Sequence, residues 1–102
     1  MKTGILNISF WVSNRSKDYV GTKPIHGSQC QYKNEKDEEF RRQYPSLNEG
    51  AFFSIDCIPN YELIRELCSF GKDLLVMEPK SIQDDVFHHT QQMYEDYLGI
   101  RT

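Results

Sequence analysis

Three histidines and three cysteines, set among 15 acidic and 12 basic residues, are the side chains of this 102-residue chain with ligating or nucleophilic chemistry open to them. Cys30, Cys57 and Cys68 are widely spaced, contain no C-x-x-C pair and cannot all pair with one another. They read as reduced, buried small hydrophobes of a cytosolic protein, and no zinc or redox site is expected. His88 and His89 are adjacent, so on a helix they stand about 100° apart, and neither has an acid or histidine four residues on as a zincin requires. They read as rim packing beside Val86 and Phe87, with no metal bound. His26, Ser28 and Gln29 form a denser polar cluster just after Pro24, where such side chains usually satisfy the backbone groups of their own loop. Arg41, Arg42 and Tyr44 have the types that hold a phosphodiester chain and stack on bases. Glu38, Glu39 and Glu49 surround them, and a solvated connection is the simpler reading. No nucleophile elbow, phosphate-cradling glycine loop or G-x-G-x-x-G occurs, and no Ser–His or Cys–His pair is recognisable by motif. The chain reads as non-catalytic, without a cofactor.

Composition sets the frame for these groups. A chain this short forms one domain, residues 1–102. Hydrophobic residues make up 38% and charged residues 26%, too apolar for disorder. The mean hydropathy of −0.65 and the absence of any apolar run near the roughly 20 residues of a membrane span exclude a transmembrane reading. Met1-Lys2-Thr3 leads into alternation over residues 5–12 and not into an unbroken apolar core, so no signal peptide is expected. A formal charge of −3 argues against nucleic-acid binding by bulk charge.

The elements that would position these groups follow from periodicity. Leu6, Ile8, Phe10 and Val12 alternate with polar or amphipathic neighbours, the period of a half-buried strand. Ser13-Asn14 is a cap signal for a short helix over residues 15–21. Residues 28–40 read as a second, long strand whose charged end, residues 35–39, blunts an edge. Residues 41–50 are dense in turn formers and make this strand a hairpin with residues 51–58. Asn60 caps a helix with Leu63, Ile64, Leu67 and Phe70 inward and Gly71 as its stop. Residues 74–77 form an unbroken apolar run, expected as a central strand covered on both faces. Ser81 caps a last helix whose inner stripe is Ile82, Val86, Met93 and Tyr97, ending at Gly99.

The order β-α-β-β-α-β with an extra C-terminal helix predicts an α+β protein, a ferredoxin-like split-βαβ sandwich. Helices cover one sheet face. Trp11, Phe52 and Ile58 are expected on the other, as an apolar interaction face awaiting a cover or partner. Alternation splits Phe52 and Phe53 across the sheet, and the basic, glycine-bearing flanks of an RNA-recognition strand are missing.

Three segments together resemble a known module. Pro24-Ile25-His26-Gly27-Ser28-Gln29 precedes the second strand. Glu62-Leu63-Ile64-Arg65-Glu66-Leu67-Cys68-Ser69-Phe70-Gly71 runs into Leu74-Leu75-Val76-Met77-Glu78-Pro79, and a helix then closes on Tyr97. This pattern is similar to that of the C-terminal extension (the WCX domain) of WYL-domain bacterial transcription regulators, over essentially the whole chain. The resemblance implies a cytoplasmic regulatory, sensing and oligomerising module, a homodimer that joins upstream WYL-barrel and helix-turn-helix domains. DNA would be bound only through those domains, and the effector would be a nucleic acid or a small molecule. His26, Ser28 and Gln29, with Arg41 and Arg42, would then contact the neighbouring domain or ligand. Neither upstream domain nor a W-Y-L tripeptide occurs in these residues, so a C-terminal piece or a free-standing relative is expected. The alternatives are a stand-alone small-molecule-binding module of the ACT type and, third, an acylphosphatase-like enzyme. For the latter, Ser13-Asn14-Arg15-Ser16 is a thin substitute for a phosphate-cradling loop.

Overall fold

In a computed structural model, which describes residues 4–101, four strands and four helices alternate along the chain. The expectation about a leader at residues 1–3 lies outside the described residues. Strand β1 (Leu6–Val12) is followed by α1 (Lys17–Thr22), β2 (Cys30–Gln31), α2 (Asn34–Gln43) and β3 (Ala51–Cys57). Then come α3 (Tyr61–Ser69), a 3-10 turn (Gly71–Asp73), β4 (Leu74–Glu78) and α4 (Lys80–Ile100). The protein is α+β. Its single sheet has the order β2-β3-β1-β4 with every neighbouring pair antiparallel, compatible with the ferredoxin-like arrangement.

Alternation in β1 sends Ile8, Phe10 and Val12 to one face, where they meet Ala51, Phe53, Ile55 and Cys57 of β3 and Leu74 and Val76 of β4. Val20 of α1, Leu63, Ile64 and Leu67 of α3 and Ile82 of α4 close this core from above. The expected cap of α3 is present: the Asn60 side chain accepts a hydrogen bond from the Leu63 N–H at 2.8 Å.

Four expectations are corrected. The long second strand over residues 28–40 is only Cys30–Gln31, and the charged run is helix α2. Asn34, at φ 59°, turns the chain out of the strand. Glu35 and Asp37 then lie in the first turn and Arg41 and Arg42 in the last, the charge order a helix dipole favours. Asp37 and Arg41 pair one turn apart at 2.8 Å.

Because α2 exists, the second sheet face is not open. Phe40 stacks on Phe52 with ring centroids 5.1 Å apart, and Met77 completes that small core with Trp11, Tyr32, Tyr44 and Leu47 around it. Phe52 is fully buried and Trp11 half-buried, so they carry no free interaction face, while Ile58 lies beyond the end of β3 and is 60% exposed.

The run Leu74–Met77 is an edge strand and not a central one, since β4 pairs only with β1. Its apolar residues reflect burial on both faces, Leu74 and Val76 above and Met77 beneath.

Finally, of the expected α4 stripe only Ile82 is buried, with Val86 packed against the core. Met93 and Tyr97 are half exposed, and the helix runs through Gly99 to Ile100. Its far half stands clear of the fold. The radius of gyration, 14.4 Å, accordingly exceeds the about 13 Å of a compact 100-residue domain.

Candidate functional site

The loop between α1 and β2 carries the predicted cluster, and its geometry is set by three side chains bonding to backbone. Gln29 bridges two segments: its Oε1 accepts from the Ile25 N–H at 2.9 Å, and its Nε2 donates to the Val20 carbonyl at 3.0 Å. Ser28 clamps the loop to β3, since its Oγ accepts from the Asp56 N–H at 2.7 Å and lies 3.1 Å from the Asp56 carbonyl. His26 Nδ1 accepts from the Ser28 N–H at 3.1 Å and lies 2.8 Å from Ser28 Oγ. An accepting Nδ1 leaves Nε2–H as the donor of the neutral ring. Ser28 and Gln29 therefore hold the loop, as the simpler reading has it, and His26 stands exposed at its edge.

That edge is the rim of an open cavity of about 530 Å³. Ile5, Ile25, Ile58 and Leu63 supply its apolar wall, and His26, Asp56, Glu62 and Glu66 its polar rim. Sequence reasoning placed His26 here but missed the carboxylates. Asp56 comes from the end of β3 and Glu62 and Glu66 from the outer side of α3, where acids read as ordinary solvated residues. Glu62 and Glu66 are four residues apart, one turn of helix, which is the one signal that sets them on a shared face. With three carboxylates around one imidazole, the cavity favours positively charged or hydrogen-bond-donating groups backed by an apolar body.

Arg41 and Arg42 are not part of this cavity. Arg41 Nη2 donates to the Gly50 carbonyl at 2.9 Å and its guanidinium lies 5.3 Å from the centre of the Phe52 ring. It fastens the connection after α2, while Arg42 is exposed in that helix's last turn. His88 and His89 are likewise solvent-facing and not core rim. They border a second, smaller cavity of about 350 Å³ with Tyr61 and Asp85, and the His89 and Tyr61 rings lie 6.3 Å apart. Among the described residues no group of three or more His, Cys, Asp or Glu is arranged to hold a metal ion.

The thiols differ in environment. Cys57, on the cavity wall, is pushed up from the ordinary thiol range by burial and then by the neighbouring Asp56 charge, and Cys68 is pushed up by burial alone. Cys30 is exposed, against expectation, because β2 is too short to bury it. All three are free. Iodoacetamide at pH 8 is expected to alkylate Cys30 first and Cys57 last, as read by peptide mass mapping. Cys57 and Cys68 keep their protons in the folded chain to higher pH than in the unfolded chain. Their contribution to stability is therefore complete below the ordinary thiol pKa and is lost as pH rises through the raised folded values. Alkaline urea titrations of a Cys57→Ala, Cys68→Ala double variant are expected to show a flatter decline than the wild type.

A scan against protein-family models finds no match for this chain, and a search of curated proteins finds none either. Among the described residues no helix is long and apolar enough to cross a membrane.

Proposed function

We propose that this chain is the sensing and oligomerising module of a WYL-type transcription regulator, non-catalytic and cytoplasmic, acting on DNA through helix-turn-helix and WYL-barrel domains joined to it. One observation carries the reading. Two of the segments that bear the resemblance are 33 residues apart along the chain, from Gln29 to Glu62, yet both line the same cavity: Ile25 and His26 from the first, Glu62, Leu63 and Glu66 from the second. Residues of a shared pattern that meet around a cavity fit a contact site for a neighbouring domain or an effector better than they fit packing alone. The sheet order, read as a split-βαβ frame with α2 inserted between β2 and β3, supports the same reading.

An effector or domain contact there would act by differential affinity for two arrangements of the regulator, a coupling of about 1–3 kcal/mol or 5–150-fold in DNA affinity. The test begins with the native polypeptide, sized by blotting with an antibody to this domain. A species about three times 12.0 kDa that retards duplex DNA, with an affinity altered by Glu66→Arg, is the expected result. A native product of 12.0 kDa without DNA binding overturns the proposal and favours the ACT-like small-molecule module.

A further inference from the structure

From Phe87 onward every described residue of α4 is exposed, although this segment is not polar. Phe87 and Tyr94 are each 64% exposed, Ile100 is 78% exposed, and Met93, Tyr97 and Leu98 are about half exposed. Val86, Thr90, Met93, Tyr97 and Ile100 recur at spacings of four and three, the seam of a helix that packs against another helix, and Phe87 and Tyr94 widen it. Beyond His89, which still neighbours Tyr61 of α3, an overhang of about 11 residues is too short to hold its helix well in water without packing.

We propose that the outer half of α4 pairs, antiparallel, with the same segment of a second copy of this chain. Charge order selects both partner and direction. The root of the segment carries Asp84 and Asp85, then His88 and His89, whereas the tip carries Glu95 and Asp96, then Arg101. Two copies aligned antiparallel about Gln92–Met93 bring Arg101 level with Asp84 and Asp96 level with His89, with Glu95 one residue away. The same alignment sets Phe87 beside Leu98. Parallel pairing would instead oppose each acidic pair with its own copy, which is unfavourable. The area is adequate. Given that a large aromatic covers about 150–250 Å², the six apolar side chains leave roughly 700 Å² in water, close to the about 800 Å² per partner of a standard interface.

This interface would serve the oligomerising part of the regulator reading but does not depend on it, because its test measures mass and not DNA binding. The full chain at about 100 μM is examined by sedimentation, where twice 12.0 kDa is expected. Tyr94→Glu with Leu98→Glu, at positions facing solvent in the single chain, should weaken the dimer at least about 100-fold while leaving the thermal unfolding midpoint of the isolated chain unchanged. In a Cys30→Ser background, oxidation should cross-link Met93→Cys, which lies near the two-fold axis. It should not cross-link Ile100→Cys, whose copies would lie about 20 Å apart. A monomer at this concentration overturns the proposal and leaves the stripe to another segment of a longer polypeptide. A dimer untouched by the two glutamates, or cross-linked equally at both positions, overturns it as well.

Discussion

Phe10→Ala is expected to lower the free energy of unfolding by about 3–5 kcal/mol, a large part of the about 5–15 kcal/mol that holds a domain folded. Phe10 is fully buried at the centre of β1, one of the two strands with a partner on each side, opposite Phe53 and Val76. Its ring stacks on that of Phe53 with centroids 5.7 Å apart. Truncation leaves a cavity bounded by sheet and helices that cannot all collapse into it. Urea unfolding followed by far-ultraviolet circular dichroism reads the loss directly. A double-mutant cycle with Phe53→Ala should recover a coupling of about 0.5–1.5 kcal/mol for the stacked pair. A loss below about 1.5 kcal/mol would mean that the core under β1 is looser than described.

Gly50→Ala is the second large effect, expected at about 3 kcal/mol or more. Two causes add. Gly50 sits at φ 79°, which L residues rarely adopt, and a Cβ there would fall on the Val12 carbonyl oxygen and 2.8 Å from Trp11 Nε1. That oxygen belongs to the central strand and cannot give way. Trp11 Nε1 is itself held, donating to the Glu49 carbonyl at 2.7 Å, and Asn14 Oδ1 accepts the Gly50 N–H at 3.0 Å. Gly71 separates the two causes, since it has φ 59° but open space around a would-be Cβ. Gly71→Ala should therefore cost only the conformational part, about 1 kcal/mol. Equal losses at the two positions, in the same urea experiment, would show that the close approach at Gly50 adds nothing.

Much of the fold was legible where one periodicity stood alone. Strands β1 and β3 alternate cleanly, and α3 announces itself by Asn60, its apolar stripe and Gly71. Helix α2 was misread because two patterns overlap there. Cys30 and Tyr32 suggest alternation, while Tyr32, Phe40 and Tyr44 sit at multiples of four, and one buried phenylalanine in a charged run is a weak helical signal. The edge position of β4 was not readable, because hydrophobicity reports how many faces of a strand are covered and not how many neighbours it has. The same holds for α4. Its stripe is continuous from Ile82 to Ile100, and nothing in the residues tells which part packs inside the chain and which part remains for another surface.

The candidate site shows a similar division. His26, Ser28 and Gln29 drew notice as a dense polar cluster, and the distances give the last two a holding role. The acids opposite them arrive from two other elements, and only the packing of α3 beside the end of β3 brings Glu62, Glu66 and Asp56 to one rim.

The sheet order has a consequence for how the chain must be made. Of the four strands β1 is made first, yet its two neighbours are β3 and β4, which begin at Ala51 and Leu74. At roughly 5–20 residues per second, some 3–12 s of synthesis separate Val12 from Leu74. Until β3 is made, β1, with Ile8, Phe10, Trp11 and Val12, has both edges unpaired, and one edge stays open until β4 follows. The open edges of β1 are therefore closed only by strands made later, and a slowed ribosome between them would lengthen the exposure.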